Sequence, residues 1–479
     1  MIQSKIVATM FNKIDVTIID QFYSILGKEN VIIKNEEKKE YGHDKTEDYF
    51  FMPDVVLKPH KTEEISSVLK ICNDNTIPVT VRGAGTGLSG GALPINNGVI
   101  ISMEYFNKII DIDELNLQAT VEPGVITEVF QNAVKEKGLF YPPDPASSGS
   151  CFLGGNVSHN SGGPKAVKYG VTRDYVINLE VVLVTGEIIW TGANVLKNST
   201  GYNLTQLMCG SEGTLGVITK IVFKLRGYVS KNVLMMIPFP SNVDACKAIS
   251  AIFIDGIQPS GMEFFEKEAA LKTIEYCAQV LKSPVSITLT DGIEAYLLCE
   301  LDGKDEEILM QDAERVNNVV NKFNCGDILI ANSEAEKEEL WKIRKNISPA
   351  VNWLTLTKSE DVVVPRANLP DLILGIKQIG LNYGFNTVCF GHLGDGNLHI
   401  NILKDNISAE KWKNEIPVGI GEIFKLVVKL NGTLSGEHGI GIAKKPYMNI
   451  AMKEVNLSLM RGIKKVFDPK GILNAGKIF

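Results

Sequence analysis

The stretch RGAGTGLSGG at residues 82–91 decides the fold of this chain, since it places five glycines in ten residues directly behind a predicted strand, PVTVR at 78–82. A loop of this composition lets backbone N–H groups approach a pyrophosphate closely. Residues 85–90 also match the dinucleotide fingerprint G-x-G-x-x-G, but that fingerprint requires a helix to begin on the loop. The next residues, ALPINNG at 92–98, forbid such a helix because they contain Pro94 and an Asn-Gly turn. A nicotinamide-binding Rossmann site is therefore disfavoured, and so is a flexible linker, because predicted strands flank the loop.

Two further glycine-rich segments follow. PPDPASSGSCFLGGNVSHNSGG at 142–163 is predicted as one long irregular loop, and loops of that length inside a compact domain are usually functional. GSEGTLGVIT at 210–219 is predicted as a turn with a strand on each side. The apolar pattern predicts further strands at 55–59, 98–103, 117–121, 176–184 and 187–190, and amphipathic helices at 62–73 and 125–137.

Composition and charge exclude several classes of protein. With 479 residues, the chain should divide into two or three domains at the usual domain size. A content of 44% hydrophobic and 22% charged residues is ordinary for a globular protein. The net charge of −7, without a long run of Lys and Arg, gives a nucleic-acid partner little support. No uncharged apolar run approaches the roughly 20 residues that a membrane-spanning helix needs.

The N-terminus and the cysteines predict a cytoplasmic protein. Lys5, Lys13, Asp15 and Asp20 interrupt the first 26 residues before any apolar core of signal-peptide length. The eight cysteines are scattered and form no CxxC pair that would hold zinc or an iron–sulfur cluster. We therefore expect reduced, mostly structural thiols.

Near Arg226 the glycine-rich loops give way to longer amphipathic segments, which predicts a domain boundary. Predicted strands at 233–239 and 295–301 alternate with helices at 243–254 and 306–323, a pattern typical of a sheet with helices on one face. A last amphipathic helix ends at Asp468-Pro469. The expected division is an N-terminal helical segment at 1–48, a cofactor domain at 49–226, a cap domain at 227–445, and a C-terminal helix and tail at 446–479.

Two short motifs concentrate three of the six histidines: GHLGDGNLHIN at 391–401 and SGEHGIG at 435–441. The glycines of the first motif exclude a helix, so a strand, turn and strand should bring His392 and His399 together. Two imidazoles and the carboxylate of Glu437 can bind a divalent metal and leave positions open for substrate. Separate structural histidines are the alternative.

The three glycine-rich segments, taken in order, resemble the FAD domain of the vanillyl-alcohol oxidase and p-cresol methylhydroxylase superfamily. The resemblance implies that the first loop cradles the pyrophosphate, and that the other two hold the ribityl chain and the isoalloxazine. The FAD contacts that it implies are Arg82, Gly83, Ala84, Gly85, Thr86, Gly87, Leu88, Asp144, Ser150, Gly154, Gly155, Asn156, Asn160, Glu212, Gly216 and Ile218. Covalent members commonly carry a flavin-linked histidine in the first loop, which has none here, so noncovalent FAD is expected. His159, in the second segment, is interpreted as a hydrogen-bonding or surface residue.

The histidine motifs resemble the C-terminal halves of FAD-dependent D-2-hydroxyacid dehydrogenases, namely D-lactate dehydrogenase, the FAD subunit of glycolate oxidase and D-2-hydroxyglutarate dehydrogenase. The resemblance implies an α+β chain: a two-subdomain FAD-binding domain of p-cresol methylhydroxylase type, an α+β cap with an antiparallel sheet, and a C-terminal helical segment that returns to the FAD domain. It makes His392, His399 and Glu437 the ligands of one divalent metal, which is zinc, manganese or ferrous iron. It also implies that His438 contacts substrate and acts as the base, that Asn401 contacts substrate or flavin, and that Asn474 is a weaker FAD contact.

The segment WKIRKNIS at 341–348 is predicted as a helix and resembles the arginine-bearing helix of these enzymes. The resemblance places Arg344 on the substrate carboxylate, a role that suits its planar fork. A surface arginine is the alternative. Ser348 stands where the hydroxyglutarate enzymes have threonine, and Lys358 is one residue out of register with their substrate lysine. Both are substrate-contact candidates, and the register of Lys358 disfavours a dicarboxylate substrate.

The resemblance implies oxidation of a small D-2-hydroxy acid, D-lactate or glycolate, to the 2-oxo acid with hydride transfer to flavin N5. Because the chain has no cysteine cluster, the electrons should pass to an electron-transfer flavoprotein, an iron–sulfur subunit, a cytochrome or a quinone. A homodimer is one assembly that we expect for such an enzyme. The alternatives are a D-2-hydroxyglutarate dehydrogenase, a superfamily oxidase or alkyl-dihydroxyacetone-phosphate synthase relative, and a non-catalytic flavin subunit of a larger oxidase.

Overall fold

The computed structural model of the chain describes residues 11–46 and 49–479. Of the N-terminal segment predicted at 1–48, residues 1–10 and 47–48 lie outside the described part. The described remainder of that segment is helical at first, as predicted. Its elements are α1 (Val16–Leu26), β1 (Val31–Ile32) and α2 (Asn35–Lys38).

The glycine loop follows a strand of a four-stranded sheet. The elements of this region are β2 (Val55–Leu57), α3 (Thr62–Asp74), β3 (Val79–Arg82) and β4 (Val99–Ser102), which confirms the predicted order. The strand order is β1-β2-β4-β3, and both β2 and β3 run parallel to the fully buried β4. Helix α3 covers the sheet with Ile65, Val68 and Leu69, which share one helix face. The loop therefore leaves the carboxyl edge of parallel strands, where ligands of such sheets bind.

A second sheet of five antiparallel strands follows, in the order β5-β6-β10-β8-β9. A small ribbon pairs β11 with β7. The elements are β5 (Ile109–Asp113), β6 (Gln118–Val121), α4 (Thr127–Glu136), β7 (Leu139–Phe140), α5 (Leu153–His159), α6 (Ala166–Tyr169), β8 (Val176–Val182), β9 (Ile188–Trp190), α7 (Leu204–Met208), β10 (Val217–Lys224) and β11 (Arg226–Gly227).

Two local predictions in this region are wrong. The segment 142–163 is not irregular throughout, because α5 forms inside it. Leu153 and Val157, one turn apart on α5, are fully buried in the core of the second sheet, and this burial outweighs the low helix propensity of the intervening glycines. The strand expected before 211–216 is instead the helix α7, whose Met208 is buried in the same core.

The third and largest sheet has seven strands, all antiparallel, in the order β15-β12-β14-β13-β17-β18-β16. This confirms the predicted antiparallel sheet of the cap. The elements are β12 (Lys231–Phe239), α8 (Asn242–Ile254), β13 (Gly261–Glu266), α9 (Lys267–Gln279), β14 (Ala295–Gly303), α10 (Glu306–Val320), β15 (Leu329–Ile330), α11 (Glu334–Lys345), α12 (Ile347–Leu354), β16 (Thr357–Val363), α13 (Leu369–Tyr383), β17 (Asn386–Gly391), β18 (Asn397–Leu403), α14 (Ala409–Asn414) and α15 (Ile416–Lys429).

Helices cover both faces of this sheet, so the expectation of helices on one face is wrong. Met235 and Ile237 of β12 belong to a core with α8, α10 and α13. Leu234 and Met236, which point to the opposite face, belong to a core with α9, α11 and α12. The reason lies in the strand itself, because the apolar run of β12 does not alternate with polar residues and must be buried on both sides.

The C-terminal segment returns to the first two sheets, as predicted. It consists of α16 (Met448–Ala451), α17 (Glu454–Phe467) and a tail. The tail pairs with the edge strand β3, since the Val79 N–H donates to the Ile472 carbonyl at 2.8 Å and the Asn474 N–H donates to the Val79 carbonyl at 2.8 Å. Lys464 of α17 donates to the Thr214 carbonyl at 2.7 Å. Neither α17 nor any other helix within the described ranges is both long and apolar enough to cross a membrane.

Candidate active site

A cavity of about 520 Å³ opens where the three glycine-rich segments meet residues of the cap. Glu437 and His438 of the second histidine motif lie in its wall, together with Lys345 and Ser348 from α11 and α12. The predicted cofactor residues in this wall are Gly83, Ala84, Gly85, Thr86, Gly87, Leu88, Gly154, Gly155, Asn156, Glu212, Gly216, Ile218 and Asn474.

The glycines of this wall leave room for a large ligand. A Cβ atom at Gly155 would meet no atom of the described residues within 4 Å, so α5 presents open space along the cavity. At Gly154 a Cβ atom would lie 2.4 Å from the Pro123 side chain, so that glycine allows close packing of the helix. Gly85 has a φ of +70°, a left-handed turn conformation. The wall therefore leaves open space for a ligand along α5, and some of its glycines serve only the fold.

Four predicted FAD contacts are not among the residues that line this cavity. The guanidinium of Arg82 lies over the ring of Tyr41, 5.8 Å from its centroid. Asn160 ends α5 in the left-handed conformation, and its side-chain oxygen accepts a hydrogen bond from the Arg173 N–H at 2.9 Å. Ser150 is exposed and donates to the Ser147 carbonyl at 3.3 Å. The fourth is Asp144, whose carboxyl pKa is raised by burial, although the charges of Lys345 and Lys165 oppose that rise.

Glu212 joins the third glycine-rich segment to the second histidine motif. Its carboxylate accepts hydrogen bonds from the N–H groups of Ile440 and Gly441, each at 2.7 Å. His159 approaches the same motif from α5, where its Nδ1–H donates to the His438 carbonyl at 3.0 Å. The interpretation of His159 as a hydrogen-bonding residue is thus confirmed. These contacts hold the motif against the cavity.

The first histidine motif folds as predicted into a strand, a turn and a strand. β17 ends at Gly391, a 3₁₀ turn spans Leu393–Asp395, and Gly396 has a φ of +86° before β18 begins. The hairpin brings the rings of His392 and His399 together, with centroids 5.2 Å apart and planes nearly perpendicular. Both side chains are buried.

Glu437 completes a cluster with these two histidines. Its Oε1 lies 3.5 Å from His392 Nε2 and 3.6 Å from His399 Nε2. These distances are too long for good hydrogen bonds. Ligand atoms about 2.0–2.2 Å from one tetrahedral ion are separated by about 3.3–3.6 Å, so the spacing suits a shared divalent ion. Two nitrogen ligands and one carboxylate leave further positions of such an ion open.

Burial and neighbouring charges act in opposite directions on the pKa values of the cluster. Burial lowers the pKa of His392, but the carboxylates of Glu263 and Glu437 outweigh it and raise that pKa to about 10. For His399 burial dominates and lowers the pKa to about 3. Burial raises the pKa of Glu437, yet His392 and His399 outweigh it and lower that pKa to about 2. Glu437 is therefore ionised at neutral pH.

Two buried acids behind the cluster escaped the sequence analysis: Glu263 on β13 and Asp361 on β16. Both side chains are 0% exposed. Oε1 of Glu263 lies 2.7 Å from His392 Nδ1, so this nitrogen carries a proton and Nε2 faces Glu437. Glu263 lies between Met262 and Phe264, and an acid between apolar strand residues is a signal that could have found it, because a buried charge must be paired. Asp361 follows polar residues of its strand and gave no such signal.

Arg344 lies beneath the cluster and not on the surface, so the surface alternative is wrong. It is buried, its Nε is 2.6 Å from Glu263 Oε2, and its guanidinium lies over the ring of Phe390 at 5.1 Å. Its Nη2 has no hydrogen-bond partner within residues 11–46 and 49–479. The side-chain oxygen and nitrogen of Asn401 are likewise buried and unpaired in the described part of the chain. Unpaired buried donors and acceptors of this kind are expected beside a ligand.

The structure does not bring Lys358 to the cluster. In β16, Asp361 pairs with His399 and Ser359 pairs with Asn401, and residues directly opposite each other share a face of the sheet. Lys358 therefore points to the other face, where its ammonium group lies 5.2 Å from the centre of the Trp412 ring. It lines a second cavity of about 450 Å³, which shares Ser348 in its wall with the first.

A glycine-lined cavity beside a histidine and carboxylate cluster is the arrangement expected of a flavin-dependent oxidoreductase. The crystal structure of p-cresol methylhydroxylase with substrate bound shares the fold, with a TM-score of 0.79 at 19% identity over 96% of this chain and 95% of that one. Residues 53–192 match the FAD binding domain family, and residues 229–478 match the family of FAD linked oxidases, C-terminal domain. The chain belongs to the FAD-linked oxidase family and is an FAD-linked oxidoreductase.

Two curated relatives cover nearly the whole chain. Glycolate oxidase subunit GlcD of Bacillus subtilis is 38% identical over 464 residues, which are 96% of this chain and 96% of the relative. D-lactate dehydrogenase of Anaerostipes hadrus is 37% identical over 470 residues, 98% of each chain. The resemblance inferred from the motifs is thereby confirmed.

Proposed function

We propose that this protein oxidises a small D-2-hydroxy acid, D-lactate or glycolate, to the 2-oxo acid with noncovalently bound FAD. The observation that carries the proposal is that Glu437 and His438, neighbours in one motif, both line the glycine-rich cavity while Glu437 reaches His392 and His399. The proposed metal site and the proposed flavin site would thus share one wall. The names of the two relatives, a glycolate oxidase subunit and a D-lactate dehydrogenase, support this substrate class.

Each side chain of the site has a separate role in the proposed reaction. His392, His399 and Glu437 would hold one divalent ion, which zinc, manganese and ferrous iron would all fit by ligand type. When bound, the ion supplies a Lewis acid that lowers the pKa of the substrate hydroxyl, and FAD supplies the hydride acceptor. His438 takes the hydroxyl proton. Arg344, through its unpaired Nη2, and Asn401 orient the substrate so that its Cα–H faces the flavin.

The substrate side chain should be small and uncharged. Ser359, not Lys358, lies opposite Asn401 on the face that carries the cluster, so no cation is presented at that register position. D-2-hydroxyglutarate is the second candidate, because Lys45 and Lys358 line the adjoining cavity and could receive a second carboxylate. Ser348 lies in the wall of both cavities and would contact either substrate.

Anaerobic bleaching of the bound flavin by a panel of hydroxy acids tests this proposal. D-lactate or glycolate should bleach the flavin at least about tenfold faster than L-lactate or D-2-hydroxyglutarate, a discrimination within reach of pocket contacts. Faster bleaching by D-2-hydroxyglutarate would establish the second candidate. A flavin that none of the four acids bleaches would contradict hydroxy-acid oxidation altogether.

The domain limits, acceptor, assembly and location remain predictions. We propose an FAD-binding domain at 49–226, a substrate and metal-binding cap at 227–445, and a C-terminal segment at 446–479. Electrons would leave to an acceptor protein or a quinone, since the eight cysteines are dispersed. A homodimer and a cytoplasmic location belong to the same set of predictions.

We expect acid precipitation to release all of the flavin into the supernatant. The first glycine loop carries no histidine, which is the position of the flavin-linked histidine in covalent members of the superfamily. His159 lines the cavity with its Nδ1–H donated to the His438 carbonyl, so it is the residue to test if the flavin proves covalent. The measurement is the absorbance of supernatant and pellet after precipitation. A pellet that stays yellow would contradict noncovalent binding and direct attention to His159.

Replacement of Arg344 by lysine should mainly weaken substrate binding. The charge beside Glu263 remains, but the planar fork with the unpaired Nη2 is lost. Loss of one charged hydrogen bond should raise the substrate concentration needed for half-maximal flavin reduction by about 10- to 100-fold. Stopped-flow reduction over a substrate series measures it, with Arg461→Lys on the exposed face of α17 as the control. An unchanged concentration dependence would remove Arg344 from the substrate site.

A further inference from the structure

Asp361 lies behind the second histidine motif and accepts hydrogen bonds from several of its backbone N–H groups. One oxygen, Oδ2, accepts hydrogen bonds from the N–H groups of Gly436 at 3.0 Å, Glu437 at 2.9 Å and His438 at 2.9 Å. The Ser435 hydroxyl donates to the same oxygen at 3.0 Å. Successive backbone N–H groups that converge on one oxygen form an anion-binding nest. Here the anion belongs to the chain itself, so it fixes the position of the turn.

The same carboxylate faces the side chains of two histidines. Its Oδ1 lies 3.7 Å from His399 Nδ1, and its Oδ2 lies 4.0 Å from His438 Nδ1. Neither distance is a hydrogen bond, and both nitrogen atoms are buried without a partner among the residues that the structure describes. The two rings are stacked, with centroids 5.2 Å apart and planes 13° apart. Each ring thus turns Nδ1 toward the acid.

The main chain of His438 is held from both sides. Its N–H donates to Asp361, and its carbonyl accepts from His159 at 3.0 Å. With the backbone fixed, the ring keeps its Nδ1 edge toward Asp361, and His438 lines the cavity. A negative charge beside Nδ1 favours the tautomer that carries the proton on that nitrogen.

We propose that Asp361 is a positioning residue that fixes the Glu437–His438 turn and selects the His438 tautomer with its proton on Nδ1. Nε2 is then left unprotonated and able to accept a proton. The significance of that acceptor rests on the function proposed above, whereas the tautomer is a property of the resting protein.

The replacement Asp361→Asn removes the charge with little change in shape. If the new amide nitrogen took the place of Oδ2, it would face three N–H donors. The amide oxygen should therefore replace Oδ2, and the amide nitrogen should replace Oδ1, which now accepts a hydrogen bond from Asn397 at 2.6 Å. The nest keeps its acceptor, but the charge that sets the tautomer is lost. We expect kcat to fall by about 10²–10⁴-fold, the range for a base in the wrong protonation form. KM should stay close to the parent value, as for a group whose effect is confined to the transition state.

Nitrogen-15 spectra of histidine-labelled, FAD-bound protein loaded with diamagnetic zinc measure the tautomer directly. The signals of His438 are assigned by their loss in His438→Asn. The parent protein should show a protonated Nδ1 and an unprotonated Nε2, and Asp361→Asn should shift the population toward the other tautomer. Asp371→Asn, on the exposed face of α13, is the matched control.

A parent spectrum with the proton on Nε2 would overturn the inference, even if Asp361→Asn failed to fold. A folded, FAD-bound Asp361→Asn protein that kept both the tautomer and kcat would overturn it as well. Failure of the proposed function would look different, since no 2-hydroxy acid would then bleach the parent flavin while the tautomer could still be measured.

Discussion

His438→Asn should retain FAD and metal yet reduce its flavin with D-lactate or glycolate about 10²–10⁴-fold more slowly than the parent, the cost of a lost general base. His438 lies in the wall of the proposed flavin cavity and outside the cluster of His392, His399 and Glu437, although it forms a second group of ligand spacing with Asp361 and His399. Its loss therefore removes a proton acceptor without removing a ligand of the proposed ion. Asparagine keeps a polar side chain at the site, so a packing defect would not explain a change of this size.

The comparison needs three measurements on each protein: flavin absorbance, metal content and the rate of anaerobic flavin reduction. His43→Asn, an exposed histidine far along the chain, is the matched control and should leave all three unchanged. If His438→Asn reduces its flavin as fast as the parent, the proposed base is wrong. The hydroxyl proton would then have to leave through another side chain or a bound water.

The parts of the site that sequence alone predicted are those in which neighbours along the chain are also neighbours in space. The glycines of 391–401 force a hairpin, so the spacing of His392 and His399 sets their distance without knowledge of the rest of the fold. The glycine loop behind β3 is local in the same sense. No local pattern connects Glu437 to the hairpin, so its addition to this pair rested on ligand chemistry and on the resemblance to known enzymes.

The parts that escaped depend on strand pairing between distant segments. Glu263 reaches His392 only because β13 pairs with β17, and Asp361 reaches His399 only because β16 pairs with β18. Glu263 shares its strand with Glu266, and Asp361 follows Glu360, and neither acid forms a recognisable motif. The helix α5 was missed for a related reason, since its helical state comes from burial of Leu153 and Val157 and not from local propensity. Tertiary contacts decided these features.

These pairings also determine which residues of β16 lie on the sheet face that carries the histidine cluster. A shift of one residue in register exchanges the two faces of a strand. Lys358 could therefore be placed near the site by its position in the sequence and still point away from the cluster. Because Ser359, and not Lys358, pairs with Asn401, the lysine that is one residue out of register does not reach the cluster. The predicted substrate is therefore a small monocarboxylate and not a dicarboxylate.

Glu437→Gln should lose both the divalent ion and turnover, in contrast to the change at the next residue. Its carboxylate oxygen is the atom that lies 3.5 Å and 3.6 Å from the two imidazole Nε2 atoms, and an uncharged amide is a far weaker ligand. Loss of a supporting contact around a metal costs about 10- to 100-fold in affinity, and loss of a ligand should cost more. FAD should remain bound, because the glycine-rich walls of the cavity are untouched.

Elemental analysis of protein purified without chelator measures this effect, and the parent should carry one zinc, manganese or iron per chain. Glu410→Gln, on the exposed surface of α14, is the matched control and should retain the ion. The pair Glu437→Gln and His438→Asn then separates ligand from base within one dipeptide, since only the first should change the metal content. Active parent enzyme without stoichiometric metal, or a Glu437→Gln protein that keeps its ion, would contradict the metal site. The cluster would then be a charged hydrogen-bonding group that orients substrate, with His438 as the sole proton acceptor.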